Sequence, residues 1–322
     1  MYAMTVALPM YRCRSIGWLA LESLCRQVDI DFEWELIIME EAGVNAGILG
    51  FDPMGRGTIM AYKARLKEVG CTSIQYVPLK EWLPLSEKWV QIGRLAQSED
   101  FLLLGADDYA PPNRLSVTRK ALKDGSQWAQ SQVSPFYDIF SETLCIYKTT
   151  EALEERTAMN MAVKTSLIKR FNTGQTAKFH VDHTLFTLAK DLSFSFRVKH
   201  IDGIAWQKGV CTTGLNQISG RRSYQMQNYV KPYYRPSGTD PKKLSDCLPA
   251  DVANKLRALK DTETTTVDFI GGKKPDSRKP SDDQKKSHHN SEWLDIQTGL
   301  RLGIDNDPII LQTKTPPKIS TL

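Results

Sequence analysis

Residues Phe101 to Arg114, FLLLGADDYAPPNR, contain the pattern around which the rest of the chain is organised. The apolar run Phe101 to Leu104 is typical of a strand buried on both faces, and Asp107 and Asp108 follow it closely. Open α/β sheets bind ligands at the carboxyl ends of their strands, and neighbouring carboxylates repel each other unless a cation or solvent offsets their charge. The two acids therefore indicate either a binding site or a solvated turn that caps the next helix.

Strand and helix patterns alternate before this stretch. Buried strands are predicted at Met4 to Leu8, which Pro9 ends because it lacks a ladder donor, and at Trp34 to Met39, which Glu40 and Glu41 follow. The remaining elements expected in this part of the chain are a helix capped by Ser15, a helix over Thr58 to Val69 closed by Gly70, a strand over Ser73 to Val77 and a helix over Ser86 to Gln97. This alternation predicts an α/β fold with a mainly parallel, doubly wound sheet and a ligand crevice at its strand ends.

The pattern becomes less regular after Arg114, which predicts a smaller mixed region. The expected elements are a helix from Pro112 to Leu122, strands at Gln127 to Gln132 and Met159 to Val163, one or two antiparallel strands within Phe136 to Tyr147, a helical turn over Ser166 to Phe171, and helices over Asp182 to Leu192 and Pro249 to Lys260. From Gln207 to Pro236 cations alternate with tyrosines. That segment is either a lid over a phosphate-bearing ligand or an irregular surface.

The last part of the chain differs in composition. Residues Gly271 to Asn290 contain no large apolar side chain, six Lys or Arg and three Asp, which is typical of a flexible linker. Apolar residues return between Trp293 and Leu311. This final segment is expected either to dock back on the domain or to mediate association.

Composition places the chain among ordinary soluble globular proteins, with 41% hydrophobic and 25% charged residues in 322. No apolar run approaches the roughly 20 residues that cross a bilayer, and no charged leader precedes the first strand, so we expect a cytoplasmic protein. The six cysteines form no CxxC pair, which argues against a zinc site or a disulfide scaffold. The net charge of +5 is compatible with an anionic substrate.

Four segments in order resemble the nucleotide-sugar-binding half of the family 2 glycosyltransferases, which have the Rossmann-like GT-A fold. They are TVALPMYR, SIGWLALESLCRQ, WELIIMEE and FLLLGADDYAPPNRL. The resemblance covers the first 115 residues well and extends through NMAVKTSL and VDHTLF to about residue 190. Together with the predicted elements, it gives a nucleotide-sugar-binding half at 1–115 and an acceptor-side half of the same domain at 116–260. Composition, not the resemblance, predicts a flexible linker at 261–292 and a C-terminal segment at 293–322 that could form a homo-oligomer.

The resemblance also implies an activity, the transfer of a sugar from a nucleotide-diphosphate donor to an acceptor hydroxyl, with inversion and with Mn²⁺ or Mg²⁺ as the cofactor. Asp107 aligns with the acid that binds the metal in that family. The residues implied in nucleotide binding are Pro9, Tyr11, Glu40, Glu41 and Asp108. The chain departs from the family in having Glu rather than Asp after the second strand, and Gly105 in place of the first acid of the Asp-x-Asp motif.

On the acceptor side, the resemblance places the general base at Asp182, although Val181 replaces the Glu that usually precedes it, and an Asp at a helix start can also be a simple cap. Asn160 and Lys164 belong to the strand that lines the acceptor side. The cations Lys208, Arg221 and Arg222 either close on the diphosphate or form a solvated surface. The histidines His180, His183 and His200 do not have the HExxH spacing of a zinc helix, so we do not expect them to bind metal.

Two other functions remain open from the sequence. The missing acids at Gly105 and Val181 are compatible with a catalytically degenerate protein that keeps the nucleotide-binding fold. The positive charge and the Lys-rich linker are compatible with a glycosyltransferase that acts on modified nucleic acid bases. The acceptor is accordingly a glycan, a small molecule or a modified nucleic acid.

Overall fold

A computed structural model shows a large central sheet flanked by helices, with a second, smaller sheet beside it. The structure describes residues 1–11, 13–41, 53–80, 83–131, 133–139, 142–148, 161–171, 181–192, 197–201, 209–213 and 243–269.

Strands and helices alternate along much of the described chain. The strands are β1 Tyr2–Met10, β2 Trp34–Glu41, β3 Cys71–Leu79, β4 Ser98–Leu103, β5 Asp108–Tyr109, β6 Trp128–Ser131, β7 Val133–Asp138, β8 Thr143–Lys148, β9 Met161–Lys164, β10 Val198–Ile201 and β11 Val210–Thr213. The helices are α1 Trp18–Leu24, α2 Arg56–Met60, α3 Lys63–Glu68, α4 Leu85–Leu95, α5 Arg114–Lys123, α6 Thr165–Ile168, α7 Val181–Leu192, α8 Leu244–Cys247 and α9 Ala250–Phe269.

The seven strands of the large sheet have the spatial order β10, β6, β9, β4, β1, β2, β3. All neighbouring pairs are parallel except those of β9, which is antiparallel to both β4 and β6. The small sheet has the order β5, β11, β7, β8 and mixes parallel and antiparallel pairs. The predicted fold class is therefore confirmed: α/β, with a mainly parallel sheet flanked by helices and a smaller mixed region.

Both faces of the large sheet are covered by apolar side chains. Successive residues of a strand point to opposite faces, so Val6 and Leu8 of β1 pack in one core cluster and Ala7 packs in the other. The first cluster includes side chains of α1, α5 and α9, whereas the second includes side chains of α4, α6 and α7. Strands covered on both faces read as continuous apolar runs, which is why the central strands were recognisable from sequence.

The first strand is longer than predicted, because Pro9 does not end it. Pairing of β1 with β4 stops where Ala7 lies opposite Leu103, whereas pairing with β2 continues until Met10 lies opposite Glu40. The carbonyl of Ala7 faces the β4 side, where it accepts the N–H of Leu104 at 3.1 Å. Alternation points the nitrogen of Pro9 to that same side, beyond the end of the β4 ladder. Its missing N–H therefore removes no ladder hydrogen bond.

The first helix also starts later than predicted. Helix α1 begins at Trp18 after Gly17, without a side-chain cap, so Ser15 is not its N-cap. The turn before the helix is tight, because a Cβ added at Gly17 would lie 2.9 Å from the carbonyl oxygen of Cys13. That close approach requires a residue without a side chain.

Two further helices differ in extent from the sequence pattern. The helix expected over Thr58 to Val69 is divided into α2 and α3, and Gly70 follows with a φ of 84°, as its closing role requires. Helix α9 continues to Phe269, past the predicted start of the linker at residue 261. Residues 270–322, with most of the predicted linker and the whole C-terminal segment, lie outside the described residues. Among the helices that are described, none is both long and apolar enough to cross a membrane.

Candidate functional site at the carboxyl ends of the strands

Three parallel neighbouring strands bring the residues predicted to bind the nucleotide and the metal to one edge of the large sheet. The strands β4, β1 and β2 run in the same direction side by side, so the segments that follow them emerge together. The thiol of Cys13, just past β1, shows how close these segments are. Burial raises the pKa of Cys13, and the charges of Asp107, Glu40 and Lys88 all act on that thiol.

The turn that carries Asp107 and Asp108 is held by both sheets. The N–H of Asp108 donates to the carbonyl of Gly105 at 3.2 Å, which closes the turn directly after β4. Asp108 then pairs with Cys211 in the small sheet, and the hydroxyl of Thr212 donates to the carbonyl of Asp107 at 2.7 Å. Helix α5 begins only at Arg114. The acids are therefore anchored in a turn between the sheets and do not cap that helix.

Gly105 stands where the family resemblance leads us to expect an acid. It lies next to the carboxylates of Asp107 and Asp108. A Cβ added there would overlap a carboxylate oxygen of Asp108 and lie 3.1 Å from Oδ1 of Asp107. The carboxylate of Asp108 thus occupies the space into which a side chain at position 105 would extend. Both carboxylates point toward this space, so their charges are concentrated in one place.

The carboxylates of Asp107 and Asp108 repel each other when both are ionised, unless a cation offsets their charge. Asp107 is half-buried, and burial raises its pKa to about 6. Asp108 is 7% exposed. The guanidinium of Arg114, which is buried and donates to the carbonyl of Met161 at 2.6 Å, is acted on by the charge of Asp108. Arg114 can offset part of the negative charge, whereas a divalent cation at Asp107 would favour the ionised carboxylate directly.

These carboxylates fit a hard divalent cation such as Mn²⁺ or Mg²⁺. Such ions prefer oxygen ligands, and Mg²⁺ commonly takes only one or two protein carboxylates together with substrate phosphates and water. In the described part of the chain no three His, Cys, Asp or Glu side chains are grouped for metal binding. Asp107 and Asp108 could hold such an ion together with a ligand such as a diphosphate, whose oxygens would complete the coordination.

Glu40 at the end of β2 is fully buried, and other groups of the protein donate hydrogen bonds to its carboxylate. Its carboxylate accepts the backbone N–H groups of Met54 at 2.6 Å and Gly55 at 3.0 Å, and the hydroxyl of Tyr76 at 3.0 Å. These contacts fix the chain as it enters α2. The geometry gives Glu40 a structural role at the end of β2, and its predicted contact with a nucleotide stays a prediction.

Glu41 forms a buried ion pair with Lys88 of α4. The Nζ of Lys88 lies 2.5 and 2.6 Å from the two carboxylate oxygens and donates to the carbonyl of Met10 at 2.9 Å. The N–H of Leu83 also donates to Glu41, at 3.3 Å. Burial raises the pKa of Glu41, and the charge of Lys88 opposes that shift.

Tyr11 lies directly after β1 and is partly exposed, whereas Pro9 is buried within the strand. The Nζ of Lys88 lies 5.6 Å from the centroid of the Tyr11 ring, within the range of a cation–π contact. One partly exposed aromatic side chain at this edge of the sheet therefore lies beside the buried cation. An oriented, accessible ring can stack on a planar base.

The described residues include only some of those predicted on the acceptor side. Helix α7 begins at Val181, which places Asp182 in its first turn. Lys164 lies opposite Asp100 in the β4–β9 pair, and its Nζ is 2.7 Å from an Asp100 oxygen. Because Asp100 is near the start of β4, Lys164 points away from the edge that carries Asp107. The residues Asn160, Lys208, Arg221, Arg222 and His180 lie outside the described residues.

Sequence reasoning missed Lys88 and Thr212. Lys88 precedes Ile92 by four residues, so it shares the buried face of helix α4. A lone cation on that face is a signal of a buried partner. Thr212 carried no comparable signal, because its role depends on a pairing between segments that are distant in sequence.

Comparison with known proteins gives matches at the level of structure alone. No protein-family model matches the chain, and no curated protein does. Staphylococcus aureus TarS in complex with UDP is similar over 64% of this chain and 62% of its own, with 13% identity and a TM-score of 0.42. A second TarS structure is similar over 92% of this chain and 83% of its own, with 13% identity and a TM-score of 0.48.

The mannosyltransferase PcManGT from Pyrobaculum calidifontis, in complex with GDP-Man and Mn²⁺, is similar over 98% of this chain and 88% of its own, with 14% identity and a TM-score of 0.46. The match to TarS with UDP spans less than two thirds of that protein's chain. At such identities and TM-scores, these likenesses assign neither a fold nor a function. The assignment of the architecture rests on the strand order and register of this chain.

Proposed function

We propose that this chain is a glycosyltransferase of the GT-A fold that moves a sugar from a nucleotide-diphosphate donor to an acceptor hydroxyl, with inversion and with Mn²⁺ or Mg²⁺. The observation that carries the proposal is the convergence of the ends of β1, β2 and β4 on the turn of Asp107 and Asp108. That arrangement puts an aromatic ring and a carboxylate pair on the edge where α/β sheets bind nucleotides.

The donor would lie along this edge in two halves. The base and ribose would occupy the crevice past β1 and β2, with Tyr11 stacking on the base. The diphosphate would reach the acid turn, where Asp107 and Asp108 would hold the divalent cation. When bound, such an ion stabilises the negative charge that develops on the departing diphosphate.

The transfer step also needs a residue that removes a proton from the acceptor hydroxyl. Asp182 would take the proton of the acceptor hydroxyl as that oxygen forms a bond to the anomeric carbon of the sugar. The bond from the same carbon to the diphosphate oxygen breaks, and its electron pair leaves with the nucleoside diphosphate. A single displacement of this kind inverts the anomeric configuration.

Donor turnover tests the proposal. The purified chain is incubated with Mn²⁺ and each of a panel of nucleotide sugars that includes UDP-GlcNAc and GDP-Man, and the released nucleoside diphosphate is measured. We expect release with at least one donor, stopped by EDTA and by Asp107→Ala. Nucleotide binding without release from any donor, with glycan, small-molecule and modified-DNA acceptors supplied in turn, would support the catalytically degenerate alternative. Neither binding nor release would refute the nucleotide site itself.

A further inference from the structure

Lys88 is a buried cation that joins two strand ends. Its side chain is 4% exposed, and the carboxylate of Glu41 is 1% exposed. Two of its contacts come from different strands, the carbonyl of Met10 at the end of β1 and the carboxylate of Glu41 at the end of β2. Met10 and Glu40 are the last pair in the β1–β2 register. Lys88 therefore bridges the strands where their ladder stops.

The contacts leave Lys88 little freedom to bind anything else. An ammonium group has three donors, and these are directed at the two oxygens of Glu41 and at the carbonyl of Met10. Burying an ion pair is costly unless its geometry is good and its remaining hydrogen bonds are satisfied. A neutral, well-packed pair would often be as stable. Stability alone is therefore a poor reason for a charged pair at this place.

Lys88 also lies next to the aromatic side chain of the crevice. Its Nζ is 5.6 Å from the centroid of the Tyr11 ring, and the carbonyl that it holds belongs to the residue before Tyr11. The ammonium therefore holds the backbone that precedes Tyr11 and lies within cation–π range of its ring.

We propose that Lys88 is a positioning residue for the base-and-ribose half of the nucleotide. It holds the ends of β1 and β2 at a fixed spacing and orients Tyr11, without itself contacting the diphosphate. Glu41, whose carboxylate is nearly inaccessible, acts through Lys88 rather than by direct contact with the base. This inference rests on the proposed function, because it assigns a role within the same nucleotide site.

The test compares the binding of whole nucleotides with the binding of inorganic diphosphate in matched variants. Lys88→Met removes the cation, and Lys88→Met combined with Glu41→Gln removes both charges, so the double variant has no uncompensated buried charge and is expected to fold. Lys123→Met, an exposed lysine at the end of α5, is the control. The probes are UDP, GDP and inorganic diphosphate, each titrated calorimetrically with Mn²⁺ present.

For whichever nucleotide the unmodified chain binds more tightly, we expect the double variant to bind about tenfold more weakly. Its affinity for inorganic diphosphate should stay within about twofold of the unmodified chain, because the acid turn does not depend on Lys88. The control should bind all probes as the unmodified chain does. A purely structural role would lower both affinities together or neither.

Three outcomes would overturn the inference. They are unchanged nucleotide binding by the double variant, an equal loss for nucleotide and inorganic diphosphate, and failure of the double variant to fold, which would assign Lys88 to stability. Failure of the proposed function is distinguishable, because it would appear in the unmodified chain, which would then either bind neither UDP nor GDP or bind a nucleotide without releasing nucleoside diphosphate from any donor.

Discussion

The carboxylate of Asp108 occupies the space above Gly105 that an acidic side chain at position 105 would need. A side chain there would displace this carboxylate from its present position. The two charges that face this space come from consecutive residues, Asp107 and Asp108, and the carbonyl of Asp107 is held by Thr212. The turn therefore has two acidic side chains although position 105 has none.

Replacing Gly105 by alanine should weaken metal-dependent ligand binding. The new Cβ would overlap an oxygen of Asp108, so that carboxylate must rotate away from Asp107. We expect the affinity for a nucleoside diphosphate in the presence of Mn²⁺ to fall by about tenfold, a typical effect of misplacing groups that orient a metal site. Calorimetric titration measures it.

The matched control is Gly57→Ala in α2, where an added Cβ meets nothing within 4 Å. It should bind as the unmodified chain does. Restoring an acid with Gly105→Asp should also lower the affinity, because the same overlap arises at its Cβ. Stronger Mn²⁺-dependent binding by Gly105→Asp would show that position 105 accepts an acid and would contradict this account of the turn.

The proposed base gives a separate prediction at the residue scale. Asp182→Asn keeps the size of a side chain in the first turn of α7 but removes its capacity to accept a proton. Transfer should fall by roughly 100-fold or more, while nucleoside diphosphate binding stays unchanged. Steady-state turnover and calorimetry on the same preparation separate the two effects. Full turnover by this variant would reject Asp182 as the base.

Among the elements, helix α1 is tied to two other helices by ion pairs. The carboxylate of Glu22 in α1 accepts hydrogen bonds from both terminal nitrogens of Arg65 in α3, each at 2.8 Å. Arg26, one turn later and just past the end of α1, donates to Glu22 at 2.7 Å and reaches Asp251 of α9. A bidentate, shared carboxylate is one of the more favourable geometries for a surface ion pair. This network fastens α3 and α9 to the helix that follows β1.

Glu22→Gln should lower the free energy of unfolding by about 1 kcal/mol at neutral pH. Hydrogen bonding from Arg65 holds the pKa of Glu22 below its ordinary value of 4.5. Its contribution is therefore fully present above pH 4.5 and is lost as the pH falls from there through the lower pKa of the folded state.

Denaturant unfolding at neutral pH and again well below pH 4.5 measures the difference between the unmodified chain and Glu22→Gln. The difference should shrink at low pH. Glu68→Gln, which changes an exposed acid on α3, should show a smaller effect at neutral pH. A gap between Glu22→Gln and the unmodified chain that widens with acidification would contradict the assignment.

The sequence predicted well those elements that can be recognised from their own hydrophobic pattern. Strands β1, β2 and β4 are apolar on both faces, and α7 has a clear helical period, so local reasoning located them. Local reasoning did not locate the antiparallel position of β9 between β4 and β6, because a short apolar run carries no information about its direction or neighbours. It also misjudged Pro9, whose effect depends on where the β4 ladder ends.

For the whole molecule, the site is a product of topology. Tyr11, Glu41 and Asp107 are far apart in sequence, and the parallel order β4, β1, β2 brings the segments that carry them to one edge. Parallel strands predict such a meeting in general terms. The particular contacts were beyond local reasoning: Lys88 reaches Glu41 across 47 positions and Thr212 reaches Asp107 across 105.

The arrangement of the whole molecule bears on how a metal and a donor would bind. The small sheet fixes the acid turn through β5 and β11, and in the proposed function the edge of the large sheet takes the rest of the nucleotide. The metal and the donor should then bind together, because each completes the surroundings of the other. Neither is expected to bind tightly alone.

The measurement that tests this central claim most directly is calorimetric titration of UDP and GDP into the chain with and without Mn²⁺, repeated on Asp107→Ala. We predict saturable binding of at least one nucleotide, strengthened about tenfold or more by Mn²⁺ in the unmodified chain and unaffected by Mn²⁺ in the variant. Equal binding with and without Mn²⁺ in the unmodified chain, or the same Mn²⁺ effect in Asp107→Ala, would contradict a metal and diphosphate site at the turn after β4.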